Sequence, residues 1–178
     1  AAIAHPEVKI LNCSLNTSHR YIRTYYARMY EAKFLMGAIA GAMAENGQLA
    51  YIADYPIFGT IANINAFALG AKMVNPRAQI YLEWSTLKDV DLGIAMDNVI
   101  KKGVTVVSGQ DMVIPEDASR YFGLYHIEKE GPRNLAMPLW HWGKFYEQLI
   151  RTIMDGTWKY DDNKDETKAI NYWWGLSA

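Results

Sequence analysis

The chain has 178 residues, 51% of them hydrophobic and 21% charged, with a net charge of −1. This composition excludes a disordered chain. The near-neutral balance, with no basic run beyond Lys101-Lys102, offers no electrostatic footprint for nucleic acid or an anionic membrane. The longest strongly apolar run, residues 34–44, is far short of a membrane span. The single cysteine, Cys13, excludes an intramolecular disulfide and reads as a semi-buried strand residue.

In chain order, residues 1–4 read as the end of a helix, turned by His5-Pro6-Glu7, and residues 8–14 as a strand. Residues 15–20 read as polar loop. A helix is expected from about Tyr26 to Ala44. Its Gly37, Ala38, Ala40, Gly41, Ala42 and Ala44 leave little side-chain bulk, which lets another backbone come close. The Gly37-x-x-x-Gly41 pair therefore reads as soluble helix packing, not a membrane dimer motif. Asn46-Gly47 stops the helix with a pair that tolerates left-handed backbone. Residues 49–53 are a short apolar run with Tyr51 and Ile52, suited to a strand covered on both faces.

The loop at residues 54–59 leads to a second helix, about 60–74, with Ile61, Ile64, Phe67, Ala68 and Ala71 in helical repeat and a stop at Asn75-Pro76. Residues 78–84 form the next strand, and Ser85-Thr86 open its loop. Asp89 or Asp91 caps a helix over 90–102 that stops at Gly103. Residues 104–107 are a third strand and 108–111 its loop. After a short piece at 115–119, strands are expected at 121–127 and 135–140, separated by Lys129-Glu130-Gly131-Pro132. An amphipathic helix over 141–154 closes at Asp155-Gly156. Residues 159–168 are a charged loop, and 170–176 a last strand.

Helix and strand alternate three times at the spacing of a βαβ step, so the expected fold is α/β, a doubly wound parallel sheet. In such sheets ligands bind outside the carboxyl ends of the strands. Three loops leave those ends: 54–59, 84–88 and 108–111. They offer Asp54, Phe58, Trp84 and Asp111 among their polar and aromatic groups, with Tyr55 beside them. Aromatic faces with a few directed polar groups suit a small, flat, polar solute such as a nucleobase with its sugar. Each residue also has a plain structural reading: Asp54 as a cap of the following helix, Phe58 as a loop anchor, Trp84 as core. Free N–H groups of the second helix also point to this edge. The four histidines, His5, His19, His126 and His141, have no metal partner at helical or hairpin spacing, and no nucleophile elbow or phosphate loop is present. The tryptophans at 140, 142, 158, 173 and 174 read as core or interface residues.

The segments YEAKFLMGAIAG, YIADYPIFG, NAFALGAKMVNP, FGLYHI and LWHWGKFYEQLIRTIMDGTW resemble the basic membrane protein (BMP) family of bacterial solute-binding lipoproteins, which includes purine-nucleoside receptors. The likeness covers most of residues 20–175, and the NAF-x-x-GA-x-x-VNP and W-x-WG-x-x-YE patterns are its specific parts.

The resemblance implies a periplasmic-binding type I lobe. Residues 1–20 would be the end of lobe one and a crossing segment. Residues 21–178 would be the second lobe, cut short at its C-terminus, so that the chain is a piece of a longer protein. It implies capture of a nucleoside-like small molecule between two lobes for an ABC permease, with no bond chemistry, cofactor, metal or nucleic acid. The location would be extracytoplasmic, periplasmic or at the membrane through a lipid anchor absent from this chain. Phe58 would be the second-lobe ring that stacks on the base, and Asp111 matches an acidic position of the family. Where many relatives read Trp-x-Asp-Pro, this chain reads WSTLKDVD, which puts Lys88 at the edge, moves the acid to Asp89 or Asp91, and admits a different solute. The other readings are a sensory or regulatory domain of the same fold, and an enzyme in which Asp111 and His126 converge.

Overall fold

The computed structural model describes residues 3–5, 7–13, 22–86, 89–110, 122–158 and 172–176. The chain divides into two compact units. One comprises Ala1–Arg28 with Trp140–Ala178, the other Met29–Leu139. The expected boundary near Arg20 compares with a division after Arg28, and the tail joins the N-terminal residues.

The larger unit is built from α1 (Met29–Met43), β3 (Gln48–Ala53), α2 (Phe58–Val74), β4 (Gln79–Trp84), α3 (Leu92–Lys101), β5 (Val106–Ser108), β6 (Leu124–Glu128) and β7 (Gly131–Ala136). Its sheet has the order β4-β3-β5-β6-β7. The first three strands are mutually parallel, while β6 and β7 are added antiparallel. The α/β architecture is as expected, with an antiparallel hairpin completing the parallel core. Side-chain alternation along β3 explains the layering. Leu49, Tyr51 and Ala53 face the core shared with Met36, Ala40, Phe67 and Ala71 of α1 and α2. Ala50 and Ile52 face Ala95 and Val99 of α3 on the other side. A strand buried on both faces reads as a continuous apolar run for this reason.

The small residues of α1 meet α2 as expected. A side chain at Gly37 would strike the carbonyl of Phe67, one at Gly70 the carbonyl of Phe34, and one at Gly41 would lie 2.6 Å from the Ala71 oxygen. The two helices, parallel because each precedes a strand of the same direction, are in backbone contact. Gly47 ends the α1–β3 turn with φ +69°. Asn46 bonds both ways there: Nδ2 donates to the Gly103 carbonyl at 2.8 Å and Oδ1 accepts from Gln48 N at 3.0 Å. Of the two acids offered as caps for α3, Asp91 is the one: its Oδ1 accepts from Ile94 N at 2.9 Å.

The smaller unit carries β1 (Ile10–Cys13), β2 (Ile22–Ala27), α4 (Trp142–Met154) and β8 (Tyr172–Trp174), the strands forming a parallel sheet β1-β2-β8. Tyr25 stacks on Phe145 at 4.8 Å and meets the edge of Trp142 at 5.2 Å, while Phe145 packs against Trp174 at 5.4 Å. Tyr25 and Tyr146 share a hydroxyl–hydroxyl hydrogen bond of 2.7 Å.

Several expectations are corrected. The helix expected from Tyr26 starts at Met29, because 22–27 is strand β2, which pairs with β1 and with distant β8. Ile3 and Ala4 lie in a turn. Cys13 is exposed at the end of β1. The strand expected at 135–140 is β7, four residues earlier, so the β6–β7 turn shrinks to Lys129-Glu130 and Pro132 enters the strand. The piece at 115–119 and the loop at 159–168 lie outside the described residues.

Candidate functional site

Because β3, β4 and β5 are parallel, their carboxyl ends lie on one edge of the larger unit. The loops there are tied to one another through backbone oxygens. Ser85 donates to the Ala53 carbonyl from both N (2.8 Å) and Oγ (3.2 Å), and Thr86 Oγ1 donates to the Asp54 carbonyl. The exit of β4 is therefore strapped to the exit of β3. The exit of β5 is fixed differently. Gly109 N donates to Gly123 O at 2.8 Å and Gly123 N to Gln110 O at 2.7 Å, and the Asn134 amide holds Phe122 O at 2.8 Å. Gly123 needs its φ of +65° for this, and a Cβ there would lie 2.5 Å from the Ala136 oxygen.

Asp54 is exposed at this edge, and its Oδ1 accepts from the next residue's N–H, Tyr55, at 2.7 Å. It does not cap α2. The N-cap is Ile57, which makes no side-chain cap bond, so the first turn of α2 keeps amide donors that no cap oxygen satisfies. Tyr55 and Ile57 are each 60% exposed beside it. Phe58 is the first residue of α2; its side chain is outside what the structure describes. Trp84 ends β4 partly buried, packed against the core beneath α1 and α2. Lys88 and Asp111 lie outside the described residues. The edge thus brings together Asp54, Trp84 and the helix start at Phe58.

Three polar groups here were not singled out from the sequence. Lys33 of α1 is 1% exposed, with Nζ 5.3 Å from the centre of the Tyr51 ring. Ser108 is paired with Tyr51 across β3–β5 and is fully buried, and its Oγ has no hydrogen-bond partner. Thr86 is the third. The one signal for Lys33 in the sequence is that it is the one basic residue of a helix of mostly small and apolar residues.

His126 is paired with Val106, back from the carboxyl edge, and its Nδ1 lies 3.6 Å from Glu128, which Arg133 binds at 2.6 Å. With Asp111 outside the described residues, an acid–base pair with His126 is not part of the observed edge. His141 is the exposed N-cap of α4 and makes no side-chain cap bond. Among the described residues no group of three or more His, Cys, Asp or Glu side chains is placed to hold a metal, and no helix is long and apolar enough to cross a membrane. In the smaller unit, burial first and the Tyr146 bond second push the Tyr25 phenol above its ordinary range; burial also raises the Cys13 thiol.

Comparison with known proteins gives a consistent picture. The profile of the Bmp family, described as ABC transporter substrate-binding protein PnrA-like, matches residues 11–116. A purine-binding protein of Brucella abortus is 27% identical over 184 residues, covering 96% of this chain and 49% of its own. The Haloferax volcanii protein TsgA13, provisionally assigned as an ABC transporter glucose-binding protein, is 29% identical over 147 residues, covering 77% of this chain and 38% of its own. The chain thus spans half or less of the length of these relatives. Among solved structures, an ABC transporter solute-binding protein from Conexibacter woesei superposes with TM-score 0.55 at 13% identity, over 98% of this chain and 59% of that one. A transcriptional activator of the comK gene from Bacillus halodurans superposes with TM-score 0.59 at 11% identity, over 97% and 61%. At such identities the superpositions speak for the fold alone.

Proposed function

The chain belongs to the Bmp family of PnrA-like ABC transporter substrate-binding proteins, and from that premise we propose that it is part of the extracytoplasmic solute receptor of an ABC importer. The solute is a nucleoside-like small molecule, held at the carboxyl edge of β3, β4 and β5. The observation that carries this reading is the convergence, on one rigidly strapped edge, of the exposed Asp54 carboxylate, the uncapped start of α2 at Phe58, and Trp84. Asp54 accepts from ribose hydroxyls or base amines, each charge-assisted bond contributing about 1.5–3 kcal/mol. Phe58 supplies the ring face, and Lys88 and Asp111 complete the polar set. Capture is by closure around the solute, with no bond made or broken, and release delivers it to the permease. A lipid anchor elsewhere in the receptor would hold it at the membrane.

The purine-binding relative supports the nucleoside reading, and the glucose-binding one names the second candidate, a free sugar. Isothermal titration of the full gene product with inosine, guanosine, adenosine and glucose separates them. The expected result is saturable binding of a purine nucleoside, weakened about 10–100-fold by Asp54→Ala. Binding of glucose alone would keep solute capture and discard the nucleoside. Binding of no small solute across a wider sugar and amino-acid panel would overturn the receptor reading.

A further inference from the structure

Two buried polar side chains lie just beneath the candidate edge, and strand pairing shows what brings them together. Ser108 is the last residue of β5 and is paired with Tyr51 of β3. Paired residues of neighbouring strands share a face, so both point, with Val106, into the core under α1 and α2. Lys33 stands one turn before Met36, an α1 residue of that core, and its Nζ lies 5.3 Å from the centre of the Tyr51 ring. Tyr51 thus neighbours a hydroxyl on the strand side and an ammonium on the helix side, two residues before β3 ends at Ala53. Lys33 is 1% exposed and Ser108 fully buried. Lysine is almost never this buried. Ser108 Oγ has no hydrogen-bond partner, and a buried hydroxyl in that state costs stability that an alanine would not. Costs of this kind collect at functional sites.

We propose that Lys33 and Ser108 form a donor floor of the solute site and select a 6-oxopurine nucleoside over a 6-aminopurine one. The inference rests on the nucleoside reading above and deepens it to the kind of purine. An ammonium has three donors and no acceptor, and a serine hydroxyl donates as well as accepts. The first-turn amides of α2, which no cap oxygen satisfies, are donors too. The acceptor Asp54 stands at the rim, exposed, three residues on from Tyr51. The edge is therefore polarised, with a carboxylate outside and donors within. A nucleoside presents hydroxyl donors on its sugar, and its base decides the other end. O6 and N7 of a 6-oxopurine both accept, and they suit this floor. A 6-amino group sets a donor against the ammonium and leaves a buried donor unpaired. Both floor side chains are covered in this structure, so the base reaches them by displacing what lies over them. Ser108 then gains its partner in the bound state alone.

Isothermal titration of the full gene product with inosine, adenosine and glucose is the test. The wild type should bind inosine about 10-fold or more tightly than adenosine. Ser108→Ala should weaken inosine about 10-fold and leave adenosine nearly unchanged, closing the preference. Its melting temperature without solute should hold or rise, because the hydroxyl removed has no partner. A hydroxyl serving the fold alone would lower the melting temperature and leave the ratio untouched. Lys33→Met should move the ratio in the same direction as Ser108→Ala. Asp54→Ala, at the rim, should weaken both nucleosides alike. Adenosine bound by the wild type as tightly as inosine, or a ratio that neither floor variant moves, overturns the assignment and leaves nucleoside capture standing. Binding of glucose and of neither nucleoside removes the premise itself, and the assignment with it.

Discussion

Adding a single methyl group at Gly37 tests whether α1 and α2 are packed backbone to backbone. An ideal Cβ there falls inside contact distance of the Phe67 carbonyl oxygen and lies 2.9 Å from the Phe67 Cα. Backbone atoms cannot rotate aside as a side-chain tip would, so the helices must part by about 1 Å. A gap of that size forfeits a quarter to a half of each van der Waals contact it opens. The contacts at stake include Met36, Ala40, Phe67 and Ala71, all 3% exposed or less. Overpacking of this kind costs about 3 kcal/mol, the upper end of the usual range. Replacing glycine by alanine within a helix returns about 1 kcal/mol. The net loss is about 2 kcal/mol, a fall of about 4–8 °C in the melting temperature of a chain this size. Thermal unfolding followed by far-UV ellipticity, and by fluorescence of Trp84, the one tryptophan between residues 29 and 139, measures it. The same change at Gly143 of α4, where nothing lies within 4 Å of the added carbon, should be neutral or stabilise by up to ~1 kcal/mol. If Gly37→Ala were as stable as wild type while Gly143→Ala were not, the close helix contact would be wrong.

The remaining predictions concern a cap and a buried phenol. Asp91→Ala removes the acceptor of the Ile94 amide and should lower stability by about 1 kcal/mol in urea titration, whereas Asp89→Ala leaves the α3 cap in place. Tyr25 has a phenol pKa raised by burial and by its bond to Tyr146. The stability it contributes is therefore fully present below the ordinary tyrosine value of about 10 and is lost as pH rises beyond it. Denaturation midpoints between about pH 9 and 12 should fall less steeply in Tyr25→Phe than in wild type, and equal slopes would contradict the burial argument.

The run from α1 to β5 was legible because its signals were local. Small residues on α1, Asn46-Gly47, the apolar stretch of β3 and Asn75-Pro76 each carry their meaning within a few positions. β2 was not legible, since Ile22–Ala27 holds its shape by pairing with β1 and with β8, which lies nearly 150 residues later. Its IRTYYA sequence has neither an apolar run nor clean alternation. Gly131-Pro132 read as a breaker, but on an outer strand a missing N–H removes no ladder bond, and the strand begins there. At the candidate edge, the position of Asp54 followed from the strand that precedes it. Its bond to the Tyr55 amide, the strap from Thr86, and the burial of Lys33 and Ser108 depend on neighbours from other strands and helices, which spacing does not reveal.

Pro132 has a further effect. Among the described residues the larger sheet has two outer strands, β4 and β7, and they are not equivalent. β7 starts at Gly131-Pro132, and its register against β6 shifts between Leu124 and Tyr125. A proline and a bulge are the devices that discourage a foreign strand from docking. β4 has neither, and Leu82 is 40% exposed on it. Among the described residues, pairing with a foreign strand is therefore opposed less at β4 than at β7, and Leu82→Lys is the change that would put a charge on that edge.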